Sequence, residues 1–140
     1  MLIGSYTHAM DGKNRVFIPV AYRAILGDRF VMNRSPEKRC LFIWPLDKWE
    51  KFQTELMLLP MDDEDNRAKV RFYLKEANVC EPDGQGRIVI PQKQKDRIGL
   101  VRDVTFIGVG NGIEVWSPEQ VPEDDDDDTY ERLQARKRHS

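Results

Sequence analysis

Apolar residues along the chain form two kinds of run. The first is short and dense in β-branched and aromatic residues: Val16-Phe17-Ile18, Phe30 to Asn33, Leu41 to Trp44, Ile88-Val89-Ile90, Val104 to Val109 and Ile113 to Trp116. Such runs suit buried strands. The second is periodic. Leu46, Trp49, Phe52, Leu56 and Leu59 recur at spacings of three and four and predict a helix with one buried face, ended by Pro60. The next stretch, DDEDNRAKVRFYLKEA, opens with acids and continues with Arg67, Lys69, Arg71 and Lys75. That order complements a helix dipole and predicts a second helix. Pro19 and Pro91 each stop a strand and open a short helix, Val20 to Leu26 and Gln92 to Ile98, followed by Gly27 or Gly99 at the C-terminal stop.

These elements occur twice. DGKNRVFIP at 11–19 returns as DGQGRIVIP at 83–91, an offset of 72 residues. Leu26-Gly27 falls on Ile98-Gly99 at the same offset, and LFIWP at 41–45 falls on IEVWS at 113–117, placing Trp44 over Trp116. Sequence identity at a fixed period marks an internal structural repeat. Asp11-Gly12 and Asp83-Gly84 are tight-turn signals, because glycine reaches positive φ at little cost and aspartate bonds nearby backbone amides. A later hairpin turns at Gly110-Asn111-Gly112. The organisation read from this pattern is a first repeat over 1–50, a helical linker over 51–77, a second repeat over 78–118 and an acidic tail over 119–140.

Charge refines the picture. The formal net charge is −2, but residues 1–118 hold 18 basic against 16 acidic residues, and residues 119–140 hold 4 against 8. The body is therefore mildly basic, and any nucleic-acid reading rests on where its arginines lie. The tail, with Glu123 and Asp124 to Asp128, reads as a disordered, solubilising extension. Cys40 and Cys80 have no CxxC partner, and His8 and His139 are the only histidines, so packed free thiols are expected and no metal or cofactor is. No Ser-His, Cys-His or phosphate-loop arrangement is present, GVGNG lies between two strand runs, and Asp11 and Asp83 are explained as turn residues, so no enzyme is expected. The start lacks a basic region followed by an apolar run, and no stretch is apolar over a bilayer's width; the expectation is a cytoplasmic protein with no membrane partner.

Asp-Gly-x-x-Arg followed by a strand ending in Ile-Pro, twice in one chain, together with PLDKWEKF, RAKVRFYLKEA and FIGVGNGIEVWSPE, resembles the MraZ family of bacterial regulators with the SpoVT-AbrB type fold. The likeness covers about the first 118 residues. It implies an α+β fold: two tandem swapped-hairpin, AbrB-like β units forming an intrachain pseudo-dimeric barrel, with helices on the outside. It also implies a nucleoid-associated, sequence-specific transcriptional regulator that binds double-stranded DNA, acts on short direct repeats upstream of its own division and cell-wall operon, and closes with copies of itself into a ring-shaped homo-oligomer. The DNA-touching arginines carried over from the family are Arg15 and Arg87, with Lys13 and Gln85 beside them on the turns built by Asp11, Gly12, Asp83 and Gly84. One departure is Asn14, where the second copy has Gly86 and the family usually has glycine twice; asparagine tolerates left-handed backbone best after glycine.

The residues themselves bear on this. Arginine can donate a bidentate pair to guanine O6 and N7, whereas lysine neutralises phosphate without reading sequence. The plainer reading of one Asp-Arg pair is a surface clip worth about 0–1 kcal/mol. Its recurrence while the intervening residues change favours the DNA reading. Arg23, Lys93, Lys95 and Arg97, on or beside the short helices, are open to two readings: phosphate contacts or solvated helix faces. Trp49, Phe52, Phe72 and Tyr73 are either a subunit contact or core packing. The alternative function is an antitoxin-like protein-interaction module of the same fold.

Overall fold

Alternation in strands and proline-punctuated helices organise the chain. The computed structural model describes residues 1–37, 39–123 and 127–139. In order the elements are β1 (Ile3–Ala9), β2 (Arg15–Phe17), α1 (Val20–Leu26), β3 (Phe30–Arg34), β4 (Leu41–Pro45), α2 (Leu46–Met57), α3 (Glu64–Leu74), β5 (Asn78–Cys80), β6 (Arg87–Val89), α4 (Gln92–Arg97), β7 (Asp103–Val109), β8 (Ile113–Trp116), a 3₁₀ turn (Pro118–Gln120) and α5 (Asp127–His139). The fold is α+β with antiparallel pairing throughout.

Six strands form one sheet in the order β1-β7-β8-β4-β3-β5, and β2 pairs with β6 in a separate ribbon. The order is symmetric about its middle. β1, from the first half, pairs with β7 of the second, while β5 from the second half pairs with β3 of the first. Two repeat-related positions meet each other at the centre of each shared pairing: Phe42 lies opposite Glu114, and Val16 opposite Ile88. Both pairs are 72 residues apart, so in each sheet the pairing is symmetric about a local pseudo-twofold. The larger sheet is open, with β1 and β5 as opposite edges, and so differs from the barrel expected from the sequence. Closure would require those strands to meet, and β1 spans seven residues against three in β5.

The core is drawn from both halves. Val16, Ile18 and Tyr22 are buried against Ile88, Ile90, Phe30, Phe106 and Ile113. Since side chains alternate along a strand, sinking Val16 and Ile88 turns Arg15, Phe17, Arg87 and Val89 outward. That alternation sets the site described below.

The apolar runs did not mark β1 or β5. β1 is mostly exposed and is held by seven residues of pairing to β7, by the Tyr22 hydroxyl, which donates to the Gly4 carbonyl at 2.6 Å, and by Gly108, where a Cβ would lie 2.6 Å from the Leu2–Ile3 backbone. α2 and α3 carry a chain of ring contacts: Phe52 stacks on Trp44 at 4.6 Å and meets Tyr73 edge-on at 5.0 Å, and Tyr73 meets Phe72. These aromatics thus pack on one another within one chain. Both cysteines are buried free thiols, and burial pushes each pKa up to about 12.

The C-terminal tail differs from expectation in part. Residues 127–139, expected to lack structure, form α5 with Asp127 and Asp128 in its first turn. Acids there complement the positive helix end, and Asp128 and Arg132 form an opposite-charge pair four residues apart, which supports a helix. Residues 124–126 of the acidic run lie outside the described residues. No helix among the described residues is long and apolar enough to cross a membrane.

Candidate functional site

Each Asp-Gly turn is built by its aspartate. In the first, Asp11 Oδ1 accepts from the backbone amides of Lys13 at 2.9 Å and Arg15 at 3.0 Å, and Oδ2 accepts from Arg15 Nε at 2.6 Å. In the second, Asp83 Oδ1 accepts from the amides of Gln85 at 3.0 Å and Arg87 at 2.9 Å, and Oδ2 accepts from Arg87 Nε at 2.8 Å. The two turns are the same object built twice. Amide donation to a carboxylate favours its charged form. The Arg15 amide is the main cause that lowers Asp11 to about 2, aided by the Lys13 amide and the Arg15 guanidinium. The Arg87 amide likewise heads the causes that hold Asp83 below its ordinary value.

The two turns stand side by side because β2 and β6 pair. Ile18 donates to the Gly86 carbonyl at 2.9 Å, and Ile90 donates to the Asn14 carbonyl at 3.0 Å, so each half's strand end is bonded to the other half's turn. Asp11 Oδ2 also lies 3.9 Å from Arg87 Nη1. The Arg87 guanidinium sits 5.9 Å from the Phe17 ring centroid. Fixing each Nε on an aspartate orients the guanidinium plane, and the terminal nitrogens of Arg15 have no partner among the described residues. The Arg15 side chain is 32% exposed and that of Arg87 19%. Both line one open concavity of about 270 Å³ with Asn78, Glu81 and Asp83. Lys13 and Gln85 are exposed at the turn tips, and neither side chain has a partner among the described residues.

The structure therefore gathers Arg15, Arg87, Lys13 and Gln85 with Asp11, Gly12, Asp83 and Gly84 in one region. It treats the helix cations differently. Arg97 forms a two-point ion pair with Glu76, which Lys93 joins at 3.2 Å. The side-chain bond from Arg97 is the first cause that lowers Glu76 to about 2. Arg23 Nε donates to the Ile18 carbonyl at 2.9 Å, and Lys95 Nζ donates to Asn14 Oδ1 at 3.0 Å. Arg23, Lys95 and Arg97 thus have partners inside the chain, whereas the Lys93 side chain is 71% exposed. Gln92, marked in the sequence only as the start of a short helix, accepts from Asn14 Nδ2 at 3.0 Å. The signal that could have found Arg23 and Lys95 is their separation of 72 residues, the repeat offset.

The family model described as "MraZ protein, putative antitoxin-like" matches residues 1–72 and 73–121. The chain belongs to the MraZ family. Its two matched stretches meet inside α3, giving each one Asp-x-x-x-Arg turn. Among its relatives, a protein of Thermoanaerobacter pseudethanolicus is 44% identical over 119 residues, covering 85% of this chain and 82% of the relative. One from Alkaliphilus metalliredigens is 38% identical over 138 residues, covering 97% and 96%, and one from Halothermothrix orenii is 39% identical over 137 residues, covering 96% and 95%. All three bear the name "Transcriptional regulator MraZ". The extent of these matches places both turns, the linker helices and the shared sheet within the family's common part.

Proposed function

We propose that this chain is a transcriptional regulator that binds double-stranded DNA in a sequence-specific way, with Arg15 and Arg87 reading bases and Lys13 and Gln85 flanking them. The observation that carries this is the duplicated turn: two arginines fixed through Nε by an aspartate, outward-facing, on adjacent strands about one pseudo-twofold axis. A fixed guanidinium offers its remaining N–H groups as a fork suited to guanine in the major groove. The names of the relatives point the same way. The exchange of β1 and β5 between halves supports reading the fold as a swapped-hairpin pseudo-dimer made by one chain, with repeats over 1–50 and 78–118. One chain offers only two reading turns, so tandem sites and a ring-shaped homo-oligomer would raise affinity through effective concentration. Short direct repeats upstream of the protein's own operon are the proposed target.

Purified wild type, Arg15→Ala and Arg87→Ala are to be compared on the duplex upstream of the protein's own gene and on scrambled duplex, at two salt concentrations. Preference for the native duplex in wild type, abolished by either substitution, supports base reading. No preference, or a preference that survives both substitutions, makes the arginines structural clips and gives the lead to an antitoxin-like interaction module.

A further inference from the structure

The two turns differ at their tips, Lys13 against Gln85, and at the residue before each arginine, and the second difference is matched by another across the pseudo-axis. Where the first turn has Asn14 the second has Gly86, and where α1 has Arg23 α4 has Lys95; both pairs are 72 residues apart. Arg23, from the first half, packs on the turn of the second. A Cβ at Gly86 would lie 2.6 Å from Arg23 Cζ and 2.9 Å from its Nε and Nη1, and Arg23 Nε holds the carbonyl of Ile18, whose amide is bonded to the Gly86 carbonyl. Lys95, from the second half, reaches the turn of the first: its Nζ donates to Asn14 Oδ1, Asn14 Nδ2 donates to Gln92 Oε1, and the Ile90 amide is bonded to the Asn14 carbonyl. The broad guanidinium thus faces a bare glycine and the slender ammonium faces an amide.

Backbone conformation does not explain the exchange. Asn14 has φ +60° and Gly86 φ +83°, both left-handed, and asparagine adopts that region with the least strain after glycine. Space bears on it: with arginine on α1 a side chain on the second turn would have to displace the guanidinium and its bond to the Ile18 carbonyl, and with lysine on α4 the first turn has room that an asparagine fills.

We infer that Arg23 and Lys95 are positioning residues for the reading turns, each supporting the turn of the opposite half, and that Gly86 with Arg23 and Asn14 with Lys95 are two matched, non-interchangeable corners. The residue before each reading arginine is the one that is held, so the corner sets where Arg87 or Arg15 points. The inference rests on the DNA reading only for its functional consequence; the matching itself is a property of the folded chain.

The test is a swap. Gly86→Asn displaces the Arg23 guanidinium from the Ile18 carbonyl and is expected to lower the ratio of native to scrambled duplex binding roughly tenfold, the size of a coupling between touching residues. Gly86→Asn with Arg23→Lys rebuilds the corner in the Asn14–Lys95 form and is expected to restore most of that ratio and the thermal midpoint, whereas additive losses overturn the inference. The reciprocal pair, Asn14→Gly with and without Lys95→Arg, removes atoms rather than adding them, so it remains measurable if Gly86→Asn does not fold. Arg23→Gln separates positioning from direct contact: a positioning residue leaves the slope of log affinity against log salt on scrambled duplex unchanged, whereas a phosphate contact lowers it by about one, and that outcome overturns the role assigned to Arg23. If wild type shows no duplex preference, the DNA reading fails, but the melting of the same four proteins still decides whether the corners are matched.

Discussion

Replacing arginine by lysine at positions 15 and 87 separates charge from geometry. Each arginine has its Nε on an aspartate, at 2.6 Å for Arg15 and 2.8 Å for Arg87, and can present two terminal nitrogens in a plane fixed by that bond. Lysine keeps the charge but has one nitrogen, which cannot both hold the aspartate and form a fork. A bidentate contact to a base is worth about 1–3 kcal/mol of discrimination, so each single substitution should cut the native-to-scrambled ratio about tenfold to a hundredfold. Binding to scrambled duplex, and its salt slope, should stay near wild type because the cation count is unchanged. Arg15 and Arg87 are not independent: their strands pair around Val16 and Ile88, and Asp11 Oδ2 lies 3.9 Å from Arg87 Nη1. The double substitution should therefore lose less than the two single losses combined, since neighbours that share a partner do not add. Competition binding followed by fluorescence anisotropy at two salt concentrations measures all of these. Full retention of preference in both lysine variants would refute fork-like reading and leave the turns as carriers of charge.

Three further outcomes follow from the same geometry. Asp11 is held at about 2 against an ordinary 3.8, so folding favours its charged form; the turn's support is complete above about pH 4 and is lost as pH falls through its folded value. A carboxyl titration followed by carbon-13 NMR should place Asp11 well below 3.8, and an ordinary midpoint would contradict the bonding described. Trp44→Phe removes the indole that donates to Asn33 Oδ1 at 2.9 Å, and Asn33 is only 1% exposed; stranding that oxygen should cost about 1–3 kcal/mol in urea unfolding. Glu76→Gln breaks the two-point pair with Arg97 and the contact with Lys93; a loss of about 2 kcal/mol is expected, and unchanged stability would mean that α4 is held by the Gln94 side chain on the Glu76 carbonyl.

The strands and helices that bury apolar residues were legible in the sequence. The helix Val20–Leu26 and the strand Ile113–Trp116 lie where residue type and flanking proline placed them, and the long α2 followed its three-and-four spacing. β1 and β5 escaped because they carry their weight through backbone pairing. β1 buries no residue between Ile3 and Ala9, and the partner strands that fix both of them lie in the other half, beyond any local pattern. The turns were legible because aspartate and glycine act locally. The cations around them were not, since Arg23 and Lys95 look like surface charges on short amphipathic helices until their distant partners are known.

Duplication explains both successes and misses. Two copies of one unit conserve what the unit needs, which is the aspartate that builds the turn, the arginine it orients, and the buried Val16 or Ile88 that turns the arginine outward. What the copies exchange with one another is free to diverge in pairs, and residues 14, 23, 86 and 95 diverge in this way. A single-unit protein that dimerised would have to use the same corner twice. Fusing two units in one chain lifts that restriction, so the turns can become unequal, as Lys13 and Gln85 at their tips already are. On the proposed DNA reading, unequal turns on a near-symmetric frame would give the chain a direction on DNA, and a target read with direction would fit repeats in one orientation better than an inverted pair.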